Sequence, residues 1–141
     1  MELLLVSVGK VRDQNLREIC EEYQQRISRY ASLRIVEIKD SNTASEGKLI
    51  LEKVKGYYVI VFTPEGRSMS SEKFAQLLKN NLKAVAFVIG SPHGLSDDVV
   101  QSASMLCSLS MFTLPHELCR VVVLEQIYRA CTILKGHPYH K

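Results

Sequence analysis

The segment His137-Pro-Tyr-His-Lys141 packs two imidazoles, a phenol and an ammonium group into five residues. Imidazole exchanges protons near neutral pH, phenol and ammonium donate hydrogen bonds, and together they suit acid/base work or contact with an anion. Pro138 stiffens the backbone that carries them. The plainer reading is a solvated basic tail, and chemistry alone leaves both open.

The residues upstream supply further candidates. Gly90-Ser-Pro-His-Gly94 follows a strand-like run directly, so its glycines permit close approach of a ligand or of backbone, or simply make a turn. The helix after it opens Ser-Asp-Asp, which would repel phosphate from its N-terminus and disfavours a nucleotide held by its phosphates. Leu109, Ser110, Met111, Phe112, Thr113 and Leu114 mix hydroxyl and apolar groups before Pro115. Such a segment offers backbone groups and apolar contact to a flat heterocycle, or is a buried strand ending at a helix start. Arg120 falls in register with Leu124, Ile127, Cys131 and Leu134, so it needs a carboxylate, carbonyls or a ligand. Glu125 and Arg129, four apart, are spaced to pair on the other face. His93 and His116 belong to no HxH or HExxH spacing, and no GxSxG elbow or Cys/His signature occurs, so the pattern supports neither metal catalysis nor a known nucleophile.

Elements that would position these groups follow from periodicity. Residues 2–8, 33–39, 57–63 and 84–90 read as strands. The runs 57–63 and 84–90 are continuously β-branched and aromatic, as in strands covered on both sides. Leu16, Ile19, Cys20, Tyr23, Ile27 and Tyr30 predict a helix over 15–30; Phe74, Leu77, Leu78 and Leu82 mark another; Ser96 caps one over 96–106; the last covers 116–135. Residues 40–47 read as a mobile loop before a short helix ending near Gly56, and 64–67 as a turn. Alternating strands and helices predict an α/β domain over 1–141 with a largely parallel sheet, whose ligands sit beyond the strands' carboxyl ends. That points to Phe62–Arg67, Gly90–Leu95 and Leu109–Pro115. The final helix is apolar almost all round, which calls for cover by its own sheet or a second subunit; a subunit interface is the favoured expectation.

The chain has 141 residues, 46% hydrophobic and 23% charged, which suits one globular domain rather than a disordered chain. Its net charge of +3 permits a nucleic-acid partner but falls short of a strong independent binder's footprint. Cys20, Cys107, Cys119 and Cys131 lack metal spacing and read as buried, reduced thiols, hence a cytoplasmic address. Met1–Val8 is too short to span a bilayer and lacks a signal peptide's basic start, so neither membrane insertion nor secretion is expected.

The order I-G-x-x-x-G-L, S-L-S-x-x-T-L-P-H-x-L-x-R, E-Q-I-Y-R-A and H-P-Y-H-K closely resembles the bacterial RlmH-type SPOUT methyltransferases. The likeness is dense over 84–141 and looser over 1–66. It implies an α/β fold with a C-terminal trefoil knot, a homodimer, and S-adenosylmethionine as cofactor. It also implies methylation of a pseudouridine N3 in large-subunit (23S) ribosomal RNA of the assembled ribosome. Carried over by position, the cofactor contacts are Phe62, Gly90 and Leu109 through Leu114; periodicity had picked the same strand ends. The family pattern departs at Ser91, at His93 and along Phe62–Arg67, which leaves side-chain roles at 63, 91 and 93 open. Methyl transfer to an imide nitrogen requires in-line positioning and loss of the N3 proton. His140 and Tyr139 are the candidates for that step, with Arg129 or Lys141 as charge partner, and the tail is expected to complete the other subunit's site. A transfer-RNA enzyme of the same class is disfavoured by the HPYHK ending, and a ribosome-binding module without catalysis by the intact Gly90 and Ser108–Pro115.

Overall fold

In the computed structural model residues 1–81 and 83–141 are described; Leu82, expected on a helix face, lies outside the described residues. The chain runs β1 (Glu2–Val8), α1 (Gln14–Ile27), β2 (Ser32–Ile38), α2 (Thr43–Lys53), β3 (Tyr58–Ser68), α3 (Ser71–Asn80), β4 (Ala84–Ile89), α4 (Asp97–Ser102), β5 (Met105–Ser108) and α5 (His116–Leu134). The five strands form one parallel sheet in the order β2-β1-β4-β3-β5. Period-2 alternation sends Leu3, Leu5, Ile60, Phe62, Val85, Phe87 and Ile89 to one face, where α1, α3 and α5 pack. Leu4, Val6, Val8, Val59, Val61, Ala86 and Val88 face α2 and α4. Both faces are covered, which is why β1, β3 and β4 read as unbroken apolar runs. No described helix is long and apolar enough to cross a membrane.

Three expectations are corrected. The stretch 40–47 is not all loop: α2 starts at Thr43, with the Asn42 side chain accepting from the Ser45 amide at 2.8 Å. Glu46, buried at 3% exposure, reaches back to the Ser41 amide, so polar residues that look like a linker are spent on capping. The turn at 64–67 lies within β3, which bulges and resumes pairing: Phe62 and Arg67 both register with Cys107. Gly66 is required there, because a Cβ on it would lie 2.6 Å from Cys107 backbone atoms. The helix expected over 96–106 ends at Ser102, and Ala103 turns extended. Ser104 then exchanges bonds with Val59, its amide donating to the carbonyl at 2.8 Å and its Oγ accepting at 3.0 Å, and β5 begins. Sheet pairing overrides the local helical pattern of a four-residue strand.

Helix α5 is held between α1 and α3. Val123, Leu124, Ile127, Ala130 and Cys131 are buried within the single chain, so its own fold accounts for most of the helix's apolar character. Leu118 and Val122 are half-buried and lie outside both core clusters.

Candidate active site

Sheet register brings the three strand-end segments together. Phe62 pairs with Ile89 on one side and with Cys107 on the other, so Thr63 at the start of the bulge, Gly90 and Ser108 lie side by side at one edge of the sheet. Adjacent strands lie about 4.8 Å apart. Phe62 turns its ring into the core, stacked on Phe87 at 6.4 Å between centroids, so only its backbone faces the edge. Gly90 is buried, and a Cβ there would come within 2.6 Å of the Leu95 side chain and 3.0 Å of the Gly94 carbonyl. Its smallness is thus needed first for the loop's own packing. The loop closes as a tight turn: the Gly94 amide donates to the Ser91 carbonyl at 2.9 Å, and Gly94 has φ 92°. Ser91 Oγ accepts from the His93 amide, which assigns the serine to the turn, while His93 itself is exposed.

The loop 109–114 is held by its own hydroxyls. Ser108 Oγ donates to the Ser110 carbonyl at 3.0 Å, and Ser110 Oγ accepts from the Phe112 amide at 2.9 Å. Leu109 packs on the core and Leu114 is half-buried, whereas Thr113 is exposed. Met111 and Phe112 stand 97% and 84% exposed, and burying two such side chains is worth several kcal/mol. Exposed apolar groups on a loop pinned by hydrogen bonds, beside a glycine turn, form a surface suited to a flat ligand with an apolar face. Pro115 caps α5 without a side-chain bond, and His116 Nε2 lies 3.2 Å from the Val8 carbonyl, tying the loop's exit to the end of β1.

The sequence matches the family described as Predicted SPOUT methyltransferase over residues 1–140. The chain belongs to the SPOUT methyltransferase family. Ribosomal RNA large subunit methyltransferase H of Gloeobacter violaceus is 40% identical over 99% of each chain. The protein of that name in Clostridium botulinum strain Loch Maree is 40% identical over the whole of both. Among solved structures, the SpoU methyltransferase AviRb from Streptomyces viridochromogenes, in complex with AdoMet, aligns with a TM-score of 0.53. Identity is 10%, covering 91% of this chain and 57% of that one, so it speaks for the fold. In this SPOUT chain, the strands that lead to Phe62, Gly90 and Leu109 end side by side, and the tail is docked on helices of the same chain.

Tyr139 packs edge-on against Tyr128 with centroids 4.7 Å apart, and its hydroxyl donates to Glu125 Oε2 at 2.8 Å. Arg129 grips the same carboxylate through Nη2 at 2.7 Å and Nε at 3.3 Å, confirming the expected spacing pair. Burial opposes ionisation of Glu125, but bonds from Arg129 and Tyr139 outweigh it and hold the carboxyl below its usual range. Burial, then contacts with Tyr23 and Glu125, push the Tyr139 phenol well above its ordinary value. Tyr139 is therefore a donor at neutral pH. His140 Nδ1 lies 3.0 Å from Arg129 Nη1, which can only donate, so Nδ1 accepts and Nε2 carries the proton that meets Glu72. Lys141 is exposed. Glu72 and Tyr23 anchor the tail from α3 and α1, and sequence reasoning missed both. A first-turn glutamate reads as a helix-dipole residue and a face tyrosine as core, and neither advertises a partner dozens of residues away.

Arg120, 6% exposed, finds a carboxylate and a carbonyl among the alternatives that its register left open: Glu37 Oε2 at 2.5 Å and the Gly9 carbonyl at 2.8 Å, with Ser7 Oγ at 3.0 Å. It fastens α5 to the ends of β1 and β2. Burial pushes the Cys107 and Cys131 thiols up to about 11, which makes them packing groups rather than nucleophiles.

Proposed function

We infer that this protein transfers the methyl group of S-adenosylmethionine to large-subunit ribosomal RNA, at N3 of a pseudouridine. The observation that carries the reading is the register that sets the ends of β3, β4 and β5 side by side at Phe62, Ile89 and Cys107, with Met111 and Phe112 exposed on the loop that follows β5. The choice of RNA rests on the full-length relatives named for ribosomal RNA methylation. When bound, S-adenosylmethionine supplies an electrophilic methyl group. Backbone at Phe62, Gly90 and Leu109–Leu114 would hold the adenosyl portion, with Met111 and Phe112 folding over it. The trefoil knot expected of the family would bring these segments together.

The protein's part is then positioning and proton management. Tyr139, held protonated, donates to developing negative charge on the imide. Arg129, kept charged by Glu125, adds a cation, and Lys141 faces the RNA backbone. His140 accepts the N3 proton at Nδ1 once that atom leaves Arg129. Two copies of the chain complete each other's site: Leu118 and Val122, half-buried and outside both core clusters, continue in helical register to Glu125 and Arg129 under the tail, and that stripe of α5 would meet its symmetry mate. Antiparallel packing of two α5 helices across a two-fold axis sets each tail beside the partner's Leu109–Leu114 loop. Light scattering should give about twice 15.9 kDa. The function itself is tested by offering labelled S-adenosylmethionine with unmethylated ribosomes, naked ribosomal RNA and transfer RNA in parallel. Label on ribosomes, at a base lost from N3 reactivity, is expected; label confined to transfer RNA, or none, would refute the reading.

A further inference from the structure

Helices α1 and α5 end side by side, each in a fixed turn that presents one aromatic ring. After α1, the Tyr30 and Ala31 amides both donate to the Ile27 carbonyl, at 2.8 and 3.0 Å. After α5, Gly136 turns with φ 68° and the His137 amide donates back to the Thr132 carbonyl at 2.9 Å, the closure of a Schellman turn. The Tyr30 and His137 rings meet edge to face with centroids 6.4 Å apart. Tyr30 leans in turn on Tyr128 at 6.1 Å, and Tyr128 on Tyr139 at 4.7 Å. A row of rings therefore runs from the reaction end of the tail to its root. Tyr128 packs against the core, whereas Tyr30 and His137 belong to neither core cluster.

Charge gathers around these rings. Segments 23–31 and 126–141 contain five of the chain's eighteen lysines and arginines and none of its fifteen aspartates and glutamates, so the remainder is net acidic. Three carboxylates bond to these segments from outside, and each is engaged: Glu22 by Arg26 at 3.0 Å, Glu125 by Arg129 and Tyr139, and Glu72 by His140. Arg29, Lys135 and Lys141 are exposed, and their side chains make no hydrogen bond or ion pair among the described residues. About half a negative charge at each of the two helix ends leaves that surplus positive. A basic residue at a helix C-terminus is ordinary. Two rings held rigid beside such residues, outside the core, call for a partner.

We propose that Tyr30 and His137 stack a base of the RNA substrate that flanks the methylated nucleotide, with Arg29 and Lys135 on the adjoining phosphates. The inference rests on the ribosomal RNA methyltransferase reading and adds a contact for the strand that leads to the reacting base. Aromatic rings beside uncommitted cations suit a single-stranded segment, since every base has a π face and every linkage a charge. The distance suits it as well. Three residues carry the chain from His137 to His140, a span of at most about 11 Å, so a base at the root of the tail is a near neighbour of one at its tip.

The test compares Tyr30→Ala, Tyr30→Phe and the double variant Arg29→Gln/Lys135→Gln with wild type and with Lys53→Gln on α2, which covers the opposite sheet face. Ribosomes lacking the methyl group serve as substrate and as binding probe. Tyr30→Ala should raise KM for ribosomes about tenfold with kcat within about twofold, whereas Tyr30→Phe, which keeps the ring, should match wild type. The double variant should make the plot of log affinity against log salt shallower by roughly 0.7 per charge removed. S-adenosylmethionine affinity and dimer mass should match wild type throughout, and Lys53→Gln should change neither KM nor the slope. A wild-type KM in Tyr30→Ala would overturn the stacking contact, and an unaltered slope in the double variant the phosphate contacts, while the function stands. A fall in kcat alone would make Tyr30 a prop for the tail, and loss of the dimer would make this face a subunit contact; either overturns the proposal. If Tyr30→Ala fails to fold, the salt slope of the double variant decides. A wild type that neither binds nor methylates ribosomes would overturn the function and the contact with it.

Discussion

The strand-end loops and the C-terminal tail are built on opposite principles. The loops are set by backbone: register fixes Phe62, Ile89 and Cys107 in one row, Gly90 fits under Leu95, and Ser108 and Ser110 bond to their own segment. The tail is set by side chains from three helices, with Tyr139 on Glu125 and His140 between Arg129 and Glu72. A backbone-built site tolerates few substitutions but holds its shape without charge. A charge-built one is detachable and senses pH. The loops are thus suited to holding a ligand and the tail to moving a proton.

Removing residues 137–141 separates the two most sharply. Methyl transfer to ribosomes should fall at least about hundredfold, because donor, acceptor and cation leave together. Calorimetry should still register S-adenosylmethionine, and the melting temperature should drop only slightly, since α5 keeps its core contacts. Retained activity would reduce the tail to an ornament of the fold.

Next in size is Arg120→Leu, which takes the partner from the buried Ser7 hydroxyl and the Gly9 carbonyl and leaves the exposed Glu37 to water. About 3 kcal/mol should be lost, read as roughly 10 °C in thermal unfolding. A change below about 2 °C would mean that the arginine is not the fastener between α5 and the β1–β2 ends.

Smaller still is the acid response of the tail clamp. Glu125 titrates below its ordinary value near 4.5, so the unfolded chain takes up the proton first as pH falls. Its contribution is complete above that value and is lost as pH falls through the depressed one. As pH falls below about 4.5 and through the depressed value, wild type should therefore lose stability more steeply than Glu125→Gln. Parallel curves would show that the carboxylate gains nothing from Arg129 and Tyr139. Least of all, Ser110→Ala should speed hydrogen exchange at the Phe112 amide at a cost of about 1 kcal/mol, with the fold otherwise intact.

The same contrast explains what the sequence made legible. Continuous apolar runs mark the covered strands β1, β3 and β4, and their ends point to Phe62–Arg67, Gly90–Leu95 and Leu109–Pro115. Register supplied the one fact that composition lacked, that these ends are neighbours. Met105–Ser108 was hidden because four residues carry no periodicity, and its identity as a strand comes from Val59 and Phe62 across the ladder. The bulge at Pro64–Arg67 looked like a turn because Pro and Gly serve both, and only the nearness of the Cys107 backbone distinguishes them. On the tail, His140, Tyr139 and Arg129 stood out by chemistry. Glu72 and Tyr23 did not, since nothing local in a helix face names a partner from the far end of the chain.

Whether the loops and the tail are two halves of one site is measured most directly by mixing subunits. Gly90→Val forces the loop away from Leu95 and should abolish cofactor binding while sparing the dimer; the truncated chain lacks residues 137–141 but keeps its loops. Each homodimer should be inactive. In a heterodimer the truncated subunit's loops meet the intact tail of its Gly90→Val partner, so one site of two is whole. Random mixing should then restore roughly a quarter of wild-type activity. A mixture that stays inactive, with heterodimers demonstrated by mass, would contradict the account.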